Sequence, residues 1–395
     1  MIGVGAARDT TPSSATSRGR TTERDCWIAL SLVPGIGPAG FARLIARYGS
    51  AAAAWAAGPS AFGDTAEAGR PSAVEADGMP NIGRADPRDL ASSLVRATEH
   101  AGGRVVIATD DAYPPALLTL DPRPPTLFVV GPDDAFRRRA VAIVGTRRAS
   151  GYGLAVASEI AEELARAGVV VVSGLAIGID GAAHRASVMA DAPTIAVLPS
   201  PIDRVYPPRH RSLAREIVRQ GGALVSEIAI GSPVGRPDFA RRNRIIAGLA
   251  EAVVVVEAPD RSGALLTAAA ATAIGREVYA VPGPIDAMAS RGCNRLIADH
   301  VATMVTSSAA LLGQVGLPRG ARPPAIETLS EMEGQLLKRL IERSGSIEEL
   351  IDRTRHSAAS VASALTLLEA RGLVSSFGGA TYHPTIAARR LAKLI

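Results

Sequence analysis

Residues 141–153, Val-Ala-Ile-Val-Gly-Thr-Arg-Arg-Ala-Ser-Gly-Tyr-Gly, and residues 169–184, Val-Val-Val-Val-Ser-Gly-Leu-Ala-Ile-Gly-Ile-Asp-Gly-Ala-Ala-His, decide the fold. Each opens on a run of apolar, mostly β-branched residues, turns through glycines and passes directly into a helical pattern. An unbroken apolar run suits a strand covered by helices on both faces, where no position is left to water. Outward from these two, runs at Val105–Ala108, Leu127–Val130, Val141–Val144, Val169–Ser173, Thr194–Leu198, Ala223–Ser226, Ala252–Glu257, Glu277–Val281 and Ala302–Val305 read as strands. Helical segments such as Leu154–Ala167 and Ala264–Ile274 fall between them. The alternation predicts a doubly wound, mostly parallel α/β sheet over residues 93–307. Right-handed crossovers then gather the strand C-termini along one edge, where open sheets of this kind bind ligands.

The flanks differ in composition. Residues 1–24 are rich in Ser, Thr and Arg, lack the apolar core of a secretory signal and read as a disordered tail. Residues 25–92 form a helical domain that ends in a Gly/Ala/Pro/Asp-rich mobile linker from 58 onward. Within it, Pro34-Gly35-Ile36-Gly37-Pro38 separates two helical stretches. That pattern fits a helix–hairpin–helix, whose backbone N–H groups grip a DNA phosphate, and equally the plain αα-corner of a sterile-alpha-motif-like (SAM-like) domain. Residues 308–324 read as a small, proline-rich linker. Residues 325–395 suggest a winged helix: Ser330–Arg343, Ser346–Arg353 and Ser357–Arg371, then Leu373–Ser376 and Ala380–His383 around Gly378-Gly379.

The net charge of +5 admits a nucleic-acid partner without requiring one. Nearly all the positive charge is arginine, lysine occurring only at Lys338 and Lys393, so any phosphate contact has forked donors to use. Cys26 and Cys293 form no metal, redox or disulfide pattern, which fits a reducing cytoplasm. No apolar run reaches membrane-spanning length. No catalytic residue, metal ligand or cofactor is expected.

Three turns on the predicted ligand edge carry the chemistry. In the first, Gly145, Thr146 and Arg147 combine backbone donors, a helix start and a guanidinium, all suited to an anion. The spacing is neither the dinucleotide fingerprint nor a P-loop, and a ligand-free tight turn is the bland alternative. In the second, Ser173, Gly174, Ile177 and Gly178 precede another helix, with Asp180 read as its cap and His184 as a locally packed residue. The third, Ser262 and Gly263 with Thr267, opens a further helix. Between them, Phe239, Arg241, Arg242, Asn243 and Arg244 cluster at a helix start beside the same edge, where the bland reading is a solvated face.

These residues resemble the DNA-processing protein A (DprA/Smf) family. The resemblance rests on Gly-Thr-Arg at 145–147, Tyr152-Gly153, Ser-Gly-Leu-Ala-x-Gly-Ile-Asp at 173–180, Ala183-His184, Tyr206-Pro207 and Ser226-Glu227. Arg-Asn-Arg at 242–244, Glu257-Ala258, Ser262-Gly263, Thr267-Ala268, Pro282-Gly283 and Gly292-x-Asn294 follow in the same order. It spans roughly residues 104–306, and Asp111-x-Tyr113-Pro114 with Pro122–Phe128 extends it upstream. The chain departs from the pattern at Ile177, where many relatives carry a basic residue, at Ala240, which replaces a common proline, and at Cys293. The resemblance implies a Rossmann-like domain that binds single-stranded DNA and self-associates as a homodimer. It also implies delivery of that DNA to RecA during natural transformation, with displacement of single-strand binding protein, in the cytoplasm and with no membrane partner. The presumed recognition helix, Ser357–Glu369, has no Arg or Lys, so DNA binding and protein docking both remain open for the winged helix. The competing class is a nucleotide-processing enzyme related to the lysine-decarboxylase-like phosphoribohydrolases, but their Pro-Gly-Gly-x-Gly-Thr-x-x-Glu signature is absent near Ser262–Ala268.

Overall fold

The computed structural model describes residues 21–63, 85–316, 329–371, 373–377, 381–385 and 388. The chain divides into two compact units, Met1–Ser93 and Leu94–Ile395. In the first, α1 (Glu23–Ser31), α2 (Pro38–Tyr48), α3 (Ala51–Ala56) and α4 (Pro59–Gly63) are followed by α5 (Pro87–His100), which crosses the unit boundary. Thr22 and Asp25 form a reciprocal capping box, so the helical domain starts two residues before the predicted boundary at 25. Residues 1–20 of the predicted tail lie outside the described residues.

The predicted linker over 58–92 needs correction at both ends. Ala61 and Phe62 of α4 are buried in the same cluster as Cys26, Leu30, Phe41 and Leu44, with Leu90 of α5 packed against it. An apolar pair one turn beyond the preceding helix has more to gain from that core than from water. Residues 64–84 lie outside the described residues.

The second unit contains a nine-stranded sheet in the order β1-β2-β6-β5-β4-β3-β7-β8-β9. Its strands are β1 (Arg104–Ile107), β2 (Thr126–Val130), β3 (Ala140–Val144), β4 (Val170–Ser173), β5 (Thr194–Leu198), β6 (Ala223–Ser226), β7 (Ala252–Val255), β8 (Glu277–Ala280) and β9 (Thr303–Met304). All nine predicted strands are present. β3 to β9 pair in parallel, whereas β1 with β2 and β2 with β6 pair antiparallel. From β3 the chain winds through β4, β5 and β6 in one direction, then restarts beside β3 at β7. The topological switch point therefore lies between β3 and β7.

Helices α6 (Gly151–Arg166), α7 (Ile179–Met189), α8 (Arg211–Arg219), α9 (Arg236–Leu249), α10 (Gly263–Ala273) and α11 (Arg291–Ala298) connect these strands. The pleat divides their burial between the two faces. Ala140, Ala142 and Val144 face Ile245, Ile246 and Leu249 of α9 and Ala264 and Ala268 of α10. Val141 and Ile143 face Val156, Ile160 and Leu164 of α6 together with Ile179 and Ala183 of α7. This two-sided burial explains the unbroken apolar runs.

A further helix, α12 (Ser308–Gln314), occupies part of the predicted 308–324 linker. Ser307 caps it, and Leu311 and Leu312 are buried on the α6 face of the sheet. Arg139 adds donors to the carbonyls of Val315 and Gly316. The sheet domain thus runs to residue 316, and residues 317–328 lie outside the described residues.

The C-terminal module contains α13 (Glu331–Glu342), β10 (Gly345–Ser346), α14 (Ile347–Thr354), α15 (Ala358–Ala370), β11 (Val374–Phe377) and β12 (Thr381–Pro384). Leu336, Leu340, Leu350, Val361, Leu365 and Leu368 form its core. The strand order β10-β12-β11 completes the winged helix, with β10 a strand the sequence reading did not anticipate. Among the described residues, no helix is long and apolar enough to cross a membrane.

Candidate nucleic-acid interface

The turns after β3, β4 and β5 and the start of α9 enclose one small hollow on the C-terminal edge of the sheet. Arg147, Gly174, Ile177, Tyr206, Phe239 and Arg242 line it, with Ala176, Pro199 and Pro207 completing the wall. The Arg147 guanidinium is exposed and lies over the Phe239 ring, 5.2 Å from its centroid. Tyr206, also exposed, meets the same ring edge-on, with centroids 5.5 Å apart. A cation stacked on an aromatic face keeps its outer side and N–H edges available to an incoming anion.

Beneath this rim Arg242, Asp180 and Ser173 each bond to backbone groups of the surrounding turns and strands. Arg242 is buried and donates through Nη1 to the carbonyls of Gly174 (2.6 Å) and Val197 (2.5 Å). It ties the ends of β4 and β5 together. Gly174 has no room for a side chain, because a Cβ there would overlap the Arg242 guanidinium. Burial lowers the Arg242 pKa to about 10, with Asp180 opposing the shift and Arg147 adding to it.

Asp180 does not have its predicted role as helix cap. Gly178, at φ +83°, occupies the N-cap position of α7, a conformation natural only to glycine. A Cβ there would also overlap the Thr146 carbonyl. The buried Asp180 carboxylate instead reaches back across the turn and accepts from Gly174 N (3.1 Å) and Ala176 N (3.4 Å). Burial pushes its pKa up, against the pull of Arg242 and of these N–H donors. Ser173 Oγ donates to the Ile143 carbonyl at 2.6 Å. His184 is buried and bonded to Thr194 Oγ1 at 2.8 Å, the local packing expected of it.

The first turn is similarly occupied. Gly145 packs against Ile179 and the Glu257 carbonyl, and Thr146 N donates to that carbonyl at 2.7 Å. The arginine cluster separates into different roles. Arg241 is half-buried, 3.9 Å from Asp238. Asn243 donates to the Gly263 carbonyl at 3.1 Å, and Arg244 pairs with Glu227 and donates to the Pro122 carbonyl. Ser262 caps α10 with its own hydroxyl, Gly263 is exposed, and Thr267 is buried. None of these last three lines the hollow.

Of the residues singled out in the sequence, Arg147, Gly174, Ile177, Phe239 and Arg242 converge on the hollow. Tyr206 and the prolines Pro199 and Pro207 were missed as site residues. Tyr206-Pro207 had been legible only as part of a motif, because no periodicity marks a loop that folds back onto the edge. Among the described residues, no group of three or more His, Cys, Asp or Glu side chains could hold a metal ion.

A family model described as DNA recombination-mediator protein A matches residues 104–316, which is 213 of the 395 residues. The chain belongs to the DNA-processing protein A family. A DprA winged helix domain model matches residues 320–380, and a DprA-like N-terminal HHH domain model matches residues 21–76. A putative DNA processing protein DprA of Mycobacterium tuberculosis is 38% identical over 311 residues, covering 74% of this chain and 79% of the relative. Protein Smf of Synechocystis is 31% identical, covering 92% and 99%. The structure of DprA from Streptococcus pneumoniae superposes with a TM-score of 0.60 at 29% identity, covering 75% of this chain and 98% of that one. A DprA structure from Helicobacter pylori, whose subject is its single-stranded DNA binding mode, gives 0.50 at 26%, covering 54% and 97%. Membership in the DprA family gives the chain a DNA-processing role of the recombination-mediator type.

Proposed function

We propose that this chain binds single-stranded DNA along the edge built by the turns after β3, β4 and β5. In this reading it acts as a homodimeric mediator that protects incoming DNA, displaces single-strand binding protein and loads RecA during natural transformation. The observation that carries the DNA site is the exposed Arg147 guanidinium stacked on Phe239, with Tyr206 beside it. Phosphate takes the cation, and the aromatic pair offers one unstacked base a π-face. A duplex keeps its bases stacked inside and presents none of them to Tyr206. The Helicobacter pylori relative's single-stranded DNA binding mode supports the same reading.

The direct contacts fall to Arg147, Phe239, Tyr206 and the half-buried Arg241, with Thr146, Gly145, Ile177, the half-buried Ser262 and the exposed Gly263 flanking the path. Ser173, Gly174, Gly178, Arg242, Asn243, Arg244 and Thr267 shape the edge from within. Titrations of labelled oligonucleotides across a salt series test the proposal. Single strands are expected to bind at least about tenfold tighter than duplex, with affinity falling steeply as salt rises. Equal affinity for both forms at moderate salt would refute it. RecA filament growth on DNA coated with single-strand binding protein, with and without this chain, tests the mediator step.

A further inference from the structure

A doubly wound sheet places its ligand's phosphate at a helix N-terminus beside the topological switch point. Here that place, the start of α6 between β3 and β7, holds a side chain of the protein itself. Glu257, two residues past the end of β7, is buried. Its carboxylate accepts from Ser150 N at 2.9 Å and Ser150 Oγ at 2.5 Å, and Ser150 Oγ accepts from Gly153 N at 3.0 Å. Gly153 has no side chain because a Cβ would overlap that carboxylate. The Glu257 backbone carbonyl holds Thr146 N at 2.7 Å. One residue therefore clamps the turn at 146 and again at 150, and Arg147 lies between the two clamps.

We infer that Glu257 is a positioning residue for the DNA contact of Arg147, its carboxylate standing in for the phosphate that this fold otherwise binds at its switch point. The inference rests on the DNA site proposed above. It accounts for DNA being received further along the edge, at Arg147 and the turns after β4 and β5, rather than at the start of α6, where Ser150 N and Gly153 N are already engaged. It also makes a prediction opposite in sign to simple electrostatics. A carboxylate near a DNA-binding cation repels phosphate, so on charge alone its removal tightens binding. On the positioning argument its removal releases the Arg147 turn and weakens binding.

Two substitutions separate reach from charge. Glu257→Asp keeps the charge and withdraws the carboxylate by one methylene, whereas Glu257→Gln removes the charge, its amide oxygen still accepting from Ser150 N while its NH2 donates to a Ser150 Oγ whose hydrogen has turned away. Titration with a single-stranded oligonucleotide is expected to show Asp weaker by about fivefold or more and Gln within about threefold of wild type. Glu257→Ala should be weaker by about tenfold, and sodium formate should recover part of the loss relative to sodium chloride at equal ionic strength. Thermal melts confirm that each variant is folded; should the Ala variant not fold, the Asp and Gln pair decides alone. Wild-type affinity in Asp, or tighter binding in Gln by more than about threefold, overturns the inference. Arg147→Ala run in parallel keeps the two readings apart. If it binds like wild type, the DNA site itself is misplaced; if it weakens while Asp does not, only the role of Glu257 fails.

Discussion

Arg147 and Arg242 line the same hollow, yet one faces solvent and the other is surrounded by carbonyls, so the two should respond oppositely to mutation. A charge-assisted contact to phosphate contributes roughly 1.5–3 kcal/mol. Arg147→Ala is therefore expected to weaken single-strand binding about ten- to a hundredfold, with little change in melting temperature because the side chain is exposed. Arg147→Lys should recover only part, since a point charge lacks the forked donors. Arg242→Ala should instead lower the melting temperature. It strands the buried carbonyls of Gly174 and Val197, at a cost of roughly 1–3 kcal/mol for each unsatisfied group. Parallel melts and DNA titrations check both. A stable Arg242→Ala with lost affinity would make Arg242 a direct DNA contact after all. The sequence marked both arginines alike. Consecutive residues on a helix point about 100° apart, so a run such as Arg241-Arg242-Asn243-Arg244 cannot all face one ligand.

At the scale of the element, α7 has more polar burial near its start than an ordinary amphipathic helix. Asp180 and His184 are both buried in its first two turns, beneath the second glycine turn. Burial, with His210 and Arg242 nearby, lowers His184 to about 3, against about 6.5 for a free histidine. The folded chain then takes up this proton far less readily than the unfolded one. His184 contributes stability in full above about pH 6.5 and loses it as pH falls toward 3. Melting temperature is expected to drop between pH 7 and pH 4, and the slope should be shallower in His184→Gln. Equal slopes would show that His184 does not titrate on unfolding. The turn chemistry was legible as glycines in sequence, but the cap was assigned to Asp180 because Gly178 offers no side chain to read. Only the folded turn, with Asp180 pointing back at Gly174 N, shows which residue caps and which closes.

For the whole molecule, the question is how binding divides among modules. The winged helix has the right strands and helices, but α15 carries no Arg or Lys along Ala358–Ala370. Counterion release supplies much of DNA affinity, so a helix without cations adds little of it. Deleting residues 325–395 is expected to leave single-strand affinity within about tenfold, or about 1.4 kcal/mol. A folded truncation that loses more would place a principal DNA contact in the winged helix.

Apolar runs and their period were enough to specify the strands, the parallel α/β class and the winged helix, and the ordered motifs carried the resemblance to the DprA family. Apolar runs and glycine positions depend on local chemistry, which neighbouring residues disclose. Three matters required the tertiary structure. The predicted linkers shortened because Phe62, Leu311 and Leu312 found cores to join. The arginine cluster divided into a half-buried Arg241 at the edge and inward-held Arg242 and Arg244 because side-chain direction depends on what packs around the helix. The first glycine turn was occupied by Glu257, a residue more than a hundred positions away in sequence. Sequence spacing carries no record of which strand lies next to which, so an internal carboxylate and an empty phosphate nest look the same until the sheet is assembled.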